Sequence, residues 1–323
     1  MYRFKIALIA GLSLAATVAA AQEYPAKPVA LMVPFAAGGP TDTVARSLAQ
    51  AMGTHLKQTI VVENTVGAGG TIAPTRLKNA APDGYTLLIA HIGMSTAPAL
   101  YRTLPFKPLE DFEYIGQVVD VPMTLIGKKD MAAKDIKELL AFVKANKDKV
   151  TLANAGIGSA SHLCGLLLMS ALETDMTTVP YKGTAPAIND LLGGQVDLLC
   201  DQTTNTTQYI TSNRLKAYAV TSRARLDTLK NLPPLAEAGL PGFEVVVWHG
   251  VYAPKGTPKP VIDKLVAALQ AALKDAAFVQ RMNDLGSQVV ATNKATPEGL
   301  RTHLRAEIDK WTPVIRKAGV YAD

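Results

Sequence analysis

VALMVPFAAGGPTDTVAR, residues 29–46, joins an apolar run to a glycine pair and a polar helix start. The apolar run predicts a buried β-strand, because its apolar residues are continuous rather than alternating. Apolar residues then recur at helical spacing from Val44 to Leu56, which predicts an amphipathic helix. A strand that turns through glycine into a helix is the repeating unit of α/β proteins.

The same alternation of strands and helices continues along the chain and predicts two lobes, each with a central sheet. We expect residues 22–120 and 250–323 to form lobe 1 and residues 121–249 to form lobe 2. Two crossings between the lobes predict a hinge, near residues 119–123 and 247–252. Helices are expected from Val261 to Leu285 and from Pro297 to Gly319, packed back on lobe 1.

The N-terminus has the three parts of a signal peptide, residues 1–21. Arg3 and Lys5 precede a short apolar stretch that ends in Ala19, Ala20 and Ala21. We therefore expect export to the periplasm and a mature chain that begins at Gln22. A retained membrane anchor is the alternative, although the apolar stretch is short for a span.

The charge of the chain is mildly positive, with 33 basic and 27 acidic residues. This balance is too small and too evenly spread along the sequence to indicate nucleic-acid binding. The two cysteines, Cys164 and Cys200, both lie in apolar runs. They are expected either as buried thiols or as a disulfide, which an oxidising compartment permits.

Two glycine-rich loops connect a predicted strand to a predicted helix. In the first, Gly38 and Gly39 allow backbone N–H groups to face a cavity, and Thr41 or Asp42 can cap the helix. The second, ANAGIGSASHL, has the same organisation in the other lobe. Facing loops of this kind predict an anion site at two helix N-termini. The alternative is that both are only well-capped helices.

Other polar residues are candidates for the same cleft. Lys182 is either a mobile cation at the ligand or a solvated surface residue. His162 is either a donor to the ligand or a structural side chain. Asp201 and Trp248 either line the cleft or serve a turn and the core respectively.

Motifs of catalysis are absent from the sequence, which lacks GxSxG, GxxxxGK and HExxH. Cys164 beside His162 suggests a thiol hydrolase, but a thiol in an apolar helix is a poor nucleophile. We therefore expect no catalytic residue, no metal and no cofactor. An exported hydrolase or isomerase on the same scaffold remains the alternative function.

Five segments together resemble the substrate-binding proteins of the tripartite tricarboxylate transporter family, the Bug-type receptors. They are VPFAAGGPTDTVAR, VVENTVGAGGTIA, APDGYTLLIA, VPYKGTAPAINDLLGGQVDLLCD and WHGVYAPKGTP. The resemblance implies a two-lobed periplasmic-binding-protein fold of the Venus-flytrap type, in which loop amides hold a carboxylate. It also implies membrane permease subunits as partners, or a membrane sensor, and we expect a monomer. His249 departs from the family, which usually has an aromatic residue there.

The resemblance implies a set of ligand contacts in both lobes and at the second crossing. These are Phe35, Ala36, Gly38, Gly39, Asp42, Ser95, Thr96, Gly158, Ser159, Ala160, His162, Tyr181, Lys182, Asp201 and Trp248. These contacts do not identify the ligand, because main-chain N–H groups bind the carboxylate group of any organic acid.

Overall fold

A computed structural model describes residues 24–147, 149–319 and 321–322. The predicted signal peptide and its cleavage site lie outside these residues. Among the described helices, none combines the length and the apolar character that a membrane span requires.

Ten strands and ten α-helices alternate along the described part of the chain, with two short 3-10 helices at Ala68–Gly70 and Asp227–Leu229. In chain order they are β1 (Val29–Val33), α1 (Pro40–Leu56), β2 (Ile60–Asn64), α2 (Ile72–Lys78), β3 (Thr86–His91), α3 (Gly93–Leu100), β4 (Phe112–Gly127), α4 (Ile136–Ala145), β5 (Thr151–Asn154), α5 (Ala160–Leu172), β6 (Thr177–Pro180), α6 (Thr184–Leu192), β7 (Leu198–Gln202), α7 (Thr203–Thr211), β8 (Lys216–Val220), β9 (Val246–Pro254), α8 (Lys259–Ala272), α9 (Ala276–Asp284), β10 (Gln288–Val289) and α10 (Pro297–Ala318).

The long strand β4 connects two sheets. Its first part, Phe112–Pro122, pairs with β9 in a first sheet that also contains β1, β2, β3 and β10. Its second part, Met123–Gly127, pairs with β7 and β8 in a second sheet completed by β5 and β6. The chain therefore passes from one sheet to the other at Pro122 and Met123, and β9 begins at the same level. The lobe boundaries proposed above stay predictions.

Burial on both faces explains why β4 is continuous across the two sheets. Its residues from Tyr114 to Val119 and from Val121 to Gly127 are buried, because helices cover both sides of the strand. On one side α10 packs with α3 against β4, and on the other α8 packs with α1. A strand of this kind needs apolar residues at successive positions, as the sequence of β4 provides.

Two expectations about the helices were incomplete. The segment from Val261 to Leu285 is not one helix but two, α8 and α9. Asp275 starts the second helix, since its carboxylate accepts the N–H of Phe278 at 2.9 Å and acts as an N-cap. Helix α3 was not predicted, because its eight residues, GMSTAPAL, contain a glycine and a proline.

A disulfide joins Cys164 of α5 to Cys200 of β7, with 6.2 Å between their Cα atoms. The pairing settles the alternative between buried thiols and a bond. It also contradicts the thiol hydrolase, because a sulfur held in a disulfide is not available as a thiolate nucleophile.

Candidate ligand-binding cleft

A small cavity lies between the two sheets, where the first residues of three helices, α1, α5 and α6, converge with the end of β7. Its free volume is about 20 Å³, which is room for about one water molecule. The cleft is therefore narrow, and a larger ligand requires it to widen. The lining residues are Phe35, Pro40, Thr41, His91, Ala155, Ser159, Ala160, Ser161, Thr184, Asp201 and Gln202.

The first glycine loop is held by the carboxylate of Asp42. Its Oδ2 atom accepts the N–H of Gly38 at 2.9 Å and the Nε–H of Arg46 at 2.8 Å. Its Oδ1 atom accepts from Asn64 at 2.9 Å. Burial raises the pKa of Asp42, but these hydrogen bonds outweigh burial and lower the pKa below its usual value. The side chain of Asp42 thus shapes the loop.

Gly38 allows the tight turn that precedes α1. Its φ is +78°, a left-handed conformation that favours glycine, whereas Gly39 has a φ of −82° that other residues also adopt. The N–H of Gly39 donates to the carbonyl of Ala36 at 3.3 Å. The amides of both glycines are therefore used within the loop rather than directed at the cavity.

The second glycine loop is organised by serine and histidine side chains. Ser159 is the N-cap of α5, and its Oγ atom accepts the N–H of His162 at 3.3 Å. Ser161 Oγ accepts the N–H of Ala155 at 2.7 Å. The N–H of Gly158 donates to Nδ1 of His162 at 3.2 Å, and burial lowers the pKa of this histidine. His162 is therefore a neutral acceptor that fixes the loop.

The helix starts themselves offer N–H groups to the cavity. The first-turn amides of a helix have no intrahelical acceptor, which in α1 applies to Thr41 and Asp42 and in α5 to Ala160 and Ser161. The partial positive charge of each helix N-terminus adds to them. Two such ends on opposite sides of one cavity favour an anion.

Asp201 places a buried acidic group on the second-sheet side of the cavity. Its Oδ2 atom accepts from Nδ2 of Asn205 at 2.7 Å, and the same amide lies 3.4 Å from Oγ1 of Thr184. Burial raises the pKa of Asp201 to about 7. Near neutral pH this carboxyl group is thus available in both protonation states.

An aromatic cluster covers the first-sheet side of the cavity. The rings of Phe35 and His91 are stacked, with 4.9 Å between their centroids. His249 meets His91 edge-on at 5.8 Å, and its Nε2 atom lies 3.3 Å from Oγ1 of Thr41. Burial lowers the pKa of His91 to about 4 and that of His249 well below its usual value. Both rings are neutral at physiological pH.

The mouth of the cleft is bridged by contacts to backbone carbonyl oxygens. The N–H of Ala36 donates to the carbonyl of Lys182 at 3.2 Å, and Tyr101 Oη lies 2.9 Å from the Ala68 carbonyl oxygen and 3.2 Å from that of Ile157. A second cavity of about 300 Å³ opens outward from Phe35 to Tyr181 and Lys182. The two sides of the cleft are therefore in contact at its entrance.

The predicted contact residues occupy three kinds of position. Four of them line the inner cavity: Phe35, Ser159, Ala160 and Asp201. Others build the loops around it: Ala36, Gly38, Gly39, Asp42, Gly158 and His162. Tyr181 and Lys182 line the mouth, where the Tyr181 hydroxyl donates to Asp190 at 2.7 Å.

Three predicted residues are not brought to the cavity. Ser95 and Thr96 are buried in α3, and their hydroxyls face carbonyls of the preceding turn. Trp248 packs on the other side of β9, where its Nε1–H donates to Glu307 at 3.3 Å and its ring meets His303 at 5.0 Å. Successive residues of a strand face opposite sides, so Trp248 faces α10 and His249 faces the cleft.

Several lining residues were not predicted as contacts. Ser161 was recognised only as part of the second glycine loop, and Thr184 only as part of a segment that resembles the family, although both line the cavity. His91 gave no sequence signal, because it stands alone at the end of an apolar strand. Only the pairing of β3 with β9 places it opposite His249.

A family model described as "Tripartite tricarboxylate transporter family receptor" matches residues 44–320. The chain belongs to this receptor family. The Agrobacterium vitis "UPF0065 protein in the TAR-I ttuE-ttuC' intergenic region" is 50% identical over 303 residues, which is 94% of this chain and 88% of the relative. The likeness to this receptor family therefore extends over nearly the whole chain.

Solved structures of similar proteins share the fold. The periplasmic binding protein BugD is 58% identical with a TM-score of 0.91, covering 92% of this chain and 99% of its own. MatC from Rhodopseudomonas palustris with bound malate is 40% identical with a TM-score of 0.87, covering 90% of this chain and 100% of its own. These likenesses confirm the predicted α/β periplasmic-binding-protein fold and the Bug-type resemblance.

Proposed function

We propose that this receptor captures a small organic carboxylate in the periplasm and delivers it to the permease of a tripartite tricarboxylate transporter. The observation that carries the proposal is the convergence of the α1 and α5 N-termini on one cavity between the sheets. An anion there receives main-chain N–H groups from both sides. The bound malate of MatC supports a carboxylate as the ligand.

The ligand is held in this proposal by Thr41, Asp42, Ala160 and Ser161 through their N–H groups. Ser159 and Asp201 border the same cavity, while Phe35 separates it from the mouth. The remaining loop residues act by shaping the two glycine loops. No covalent step is required of these groups, which is the expected behaviour of a receptor rather than an enzyme.

Two lobes close around the ligand in this proposal. Residues 22–120 with 250–323 form one lobe and residues 121–249 the other, and β4 and β9 connect them. Because the cavity holds about one water molecule, entry requires the contact between Ala36 and Lys182 to open. We expect the receptor to act as a monomer.

Thermal denaturation with a panel of acids tests the receptor function. Dicarboxylates, tricarboxylates, aromatic acids and acidic amino acids are added one at a time to the purified mature protein. An acid at 100 times its dissociation constant adds about 2.7 kcal/mol to the free energy of unfolding. At least one class is expected to raise the melting temperature without being converted, whereas unchanged melting across the panel would contradict the proposal.

A further inference from the structure

We propose that His91 contacts the bound carboxylate directly and donates its Nε2–H group to a ligand oxygen. This inference rests on the proposed receptor function and adds a side-chain contact to the helix N-termini. His91 is the last residue of β3 and is 4% exposed. It lines the inner cavity together with Thr41 and Ser159, which belong to the two helix starts.

Two contacts fix the orientation of the His91 ring. One face stacks on Phe35 with only 15° between the ring planes. The Nδ1 atom accepts the N–H of Gly93 at 3.0 Å. Gly93 also leaves the space for this approach, since a Cβ atom there would lie 3.3 Å from Nδ1. The stacking therefore fixes the plane of the ring, and the hydrogen bond fixes the direction in which Nδ1 points within that plane.

The same contacts decide which nitrogen carries the hydrogen. A neutral imidazole has one N–H group, and Nδ1 is the acceptor of the Gly93 amide. The hydrogen is then on Nε2. Burial keeps the ring neutral by lowering its pKa to about 4. His91 thus offers a donor without a positive charge.

Nε2 of His91 makes no hydrogen bond to another described residue and is not fully buried, so it borders the free space of the cavity. A ligand oxygen that enters this space gives the donor an acceptor and adds one hydrogen bond to those from the helix N-termini. The donor favours carboxylate or carbonyl oxygens at this point and disfavours an ammonium group, which has only hydrogens to present. His91 therefore selects for the acceptor end of a ligand.

His249 contacts both His91 and Thr41 and helps to hold them in place. It is fully buried and stands opposite His91 in the pairing of β3 with β9. Its ring meets the His91 ring edge-on, while its Nε2 atom lies beside the hydroxyl of Thr41. His249 thereby supports two residues that line the cavity, and we assign it a positioning role only.

Three variants test the contact. His91→Phe keeps an aromatic ring beside Phe35 and removes both nitrogens, whereas His91→Gln keeps a terminal N–H donor. His303→Phe is the matched control, because His303 packs on Trp248 outside the cavity. L-malate and the other acids of the panel are first ranked on the wild type by thermal shift, and the strongest is used for calorimetry.

The expected pattern separates a contact from a structural role. Loss of one hydrogen bond to a charged oxygen weakens affinity by about 10- to 100-fold in His91→Phe. His91→Gln stays within about tenfold of the wild type, and His303→Phe binds as the wild type does. A structural role would instead lower the melting temperature of the ligand-free variants and leave their affinity unchanged.

Nitrogen-15 spectra of histidine-labelled wild-type protein decide the matter even if His91→Phe does not fold. The acid is expected to shift the Nε2 resonance of His91, assigned through His91→Gln, and to leave that of His303 in place. Equal affinities in the variants or an unmoved His91 resonance would show that this contact is wrong while the receptor function stands. If no acid stabilises the wild type, the receptor function and this contact are both wrong.

Discussion

The N–H of Ala36 donates to the carbonyl of Lys182 across the mouth of the cleft, over 3.2 Å. This hydrogen bond connects the loop after β1 to the loop after β6, and these two strands belong to different sheets. In the proposed function, opening the cleft breaks this hydrogen bond and closing the cleft restores it. We therefore expect contacts at this point to set the free-energy difference between the proposed open and closed states.

Gly183→Ala is expected to weaken ligand binding by about tenfold or more. Gly183 has a φ of +137°, and a Cβ atom there would lie 2.9 Å from the Ala36 nitrogen. The added carbon thus obstructs the closed state, and backbone strain of this kind costs about 1–3 kcal/mol. Calorimetry measures the affinity, and small-angle scattering with and without the acid measures closure.

Gly194→Ala is the control for backbone strain alone. Gly194 also has a positive φ, +72°, but a Cβ atom there would have no neighbour within 4 Å. The change is expected to lower the melting temperature and to leave affinity and closure unchanged. Equal losses of affinity in both variants would contradict a role for the Ala36 contact in closure.

Asp42→Ala is expected to lower the free energy of unfolding by about 2–3 kcal/mol. The change leaves the partly buried N–H of Gly38 and the amide of Asn64 without their shared acceptor. Arg46→Ala is expected to cost less than about 1 kcal/mol, because the Arg46 side chain is 53% exposed. Urea unfolding measures both, and equal effects would show that the ion pair, not the loop, determines the loss.

The buried histidines and Asp201 oppose each other in the pH dependence of stability. The pKa of His91 is lowered to about 4 and that of His249 well below its usual value, so the unfolded chain binds more protons below pH 6.5. Their stabilisation is present at pH 7 and is lost as the pH falls. Asp201, with its pKa raised to about 7, stabilises the fold at low pH and loses this effect as the pH rises through 7.

Urea unfolding at pH 7 and pH 5 tests this opposition. Removing one buried neutral histidine in His249→Phe is expected to reduce the loss of stability between these pH values by about 2 kcal/mol. Asp201→Asn is expected to increase that loss by a similar amount. Parallel pH profiles for the wild type and both variants would show that these groups titrate in the folded state as they do in the unfolded chain.

Reduction of the disulfide is expected to lower the free energy of unfolding by about 2–4 kcal/mol. Cys164 and Cys200 are separated by 36 positions, and a crosslink of that length restricts the unfolded chain substantially. Unfolding with and without reductant measures the effect. The variant Cys164→Ala/Cys200→Ala is the control, since reductant is expected to leave its stability unchanged.

Lys182→Ala and Ser159→Ala test whether main-chain N–H groups or the ammonium group of Lys182 bind the carboxylate. Lys182 is exposed at the mouth, so its loss is expected to change affinity by less than about threefold. Ser159→Ala removes the N-cap of α5 and is expected to weaken binding by about tenfold or less, with some loss of stability. Calorimetry measures the affinity. If Lys182→Ala abolishes binding, the carboxylate is held by an ion pair with Lys182 and not by main-chain N–H groups.

Much of the site could be predicted from the sequence, because the conformation of its loops depends on residues that are close in the chain. The two glycine loops, which include the N-cap Ser159, and the alternation of strands and helices depend on neighbours within a few positions. The same local reasoning failed for the segment between Val261 and Leu285. Asp275 caps the N-terminus of a new helix there through a hydrogen bond to the N–H of Phe278. The chain therefore forms two helices, although its apolar periodicity continues through the segment.

The sequence by itself determined the α/β architecture and the two glycine loops, because strand burial, helix periodicity and capping are short-range effects. Only the tertiary structure decided which side chains face the cleft. Trp248 and His249 are neighbours in sequence, yet the pleat of β9 and its pairing with β3 direct one to α10 and the other to the cavity. The disulfide and the encounter of His91 with Thr41 and Asp201 likewise depend on strands that lie far apart in the chain and meet only in the folded sheets.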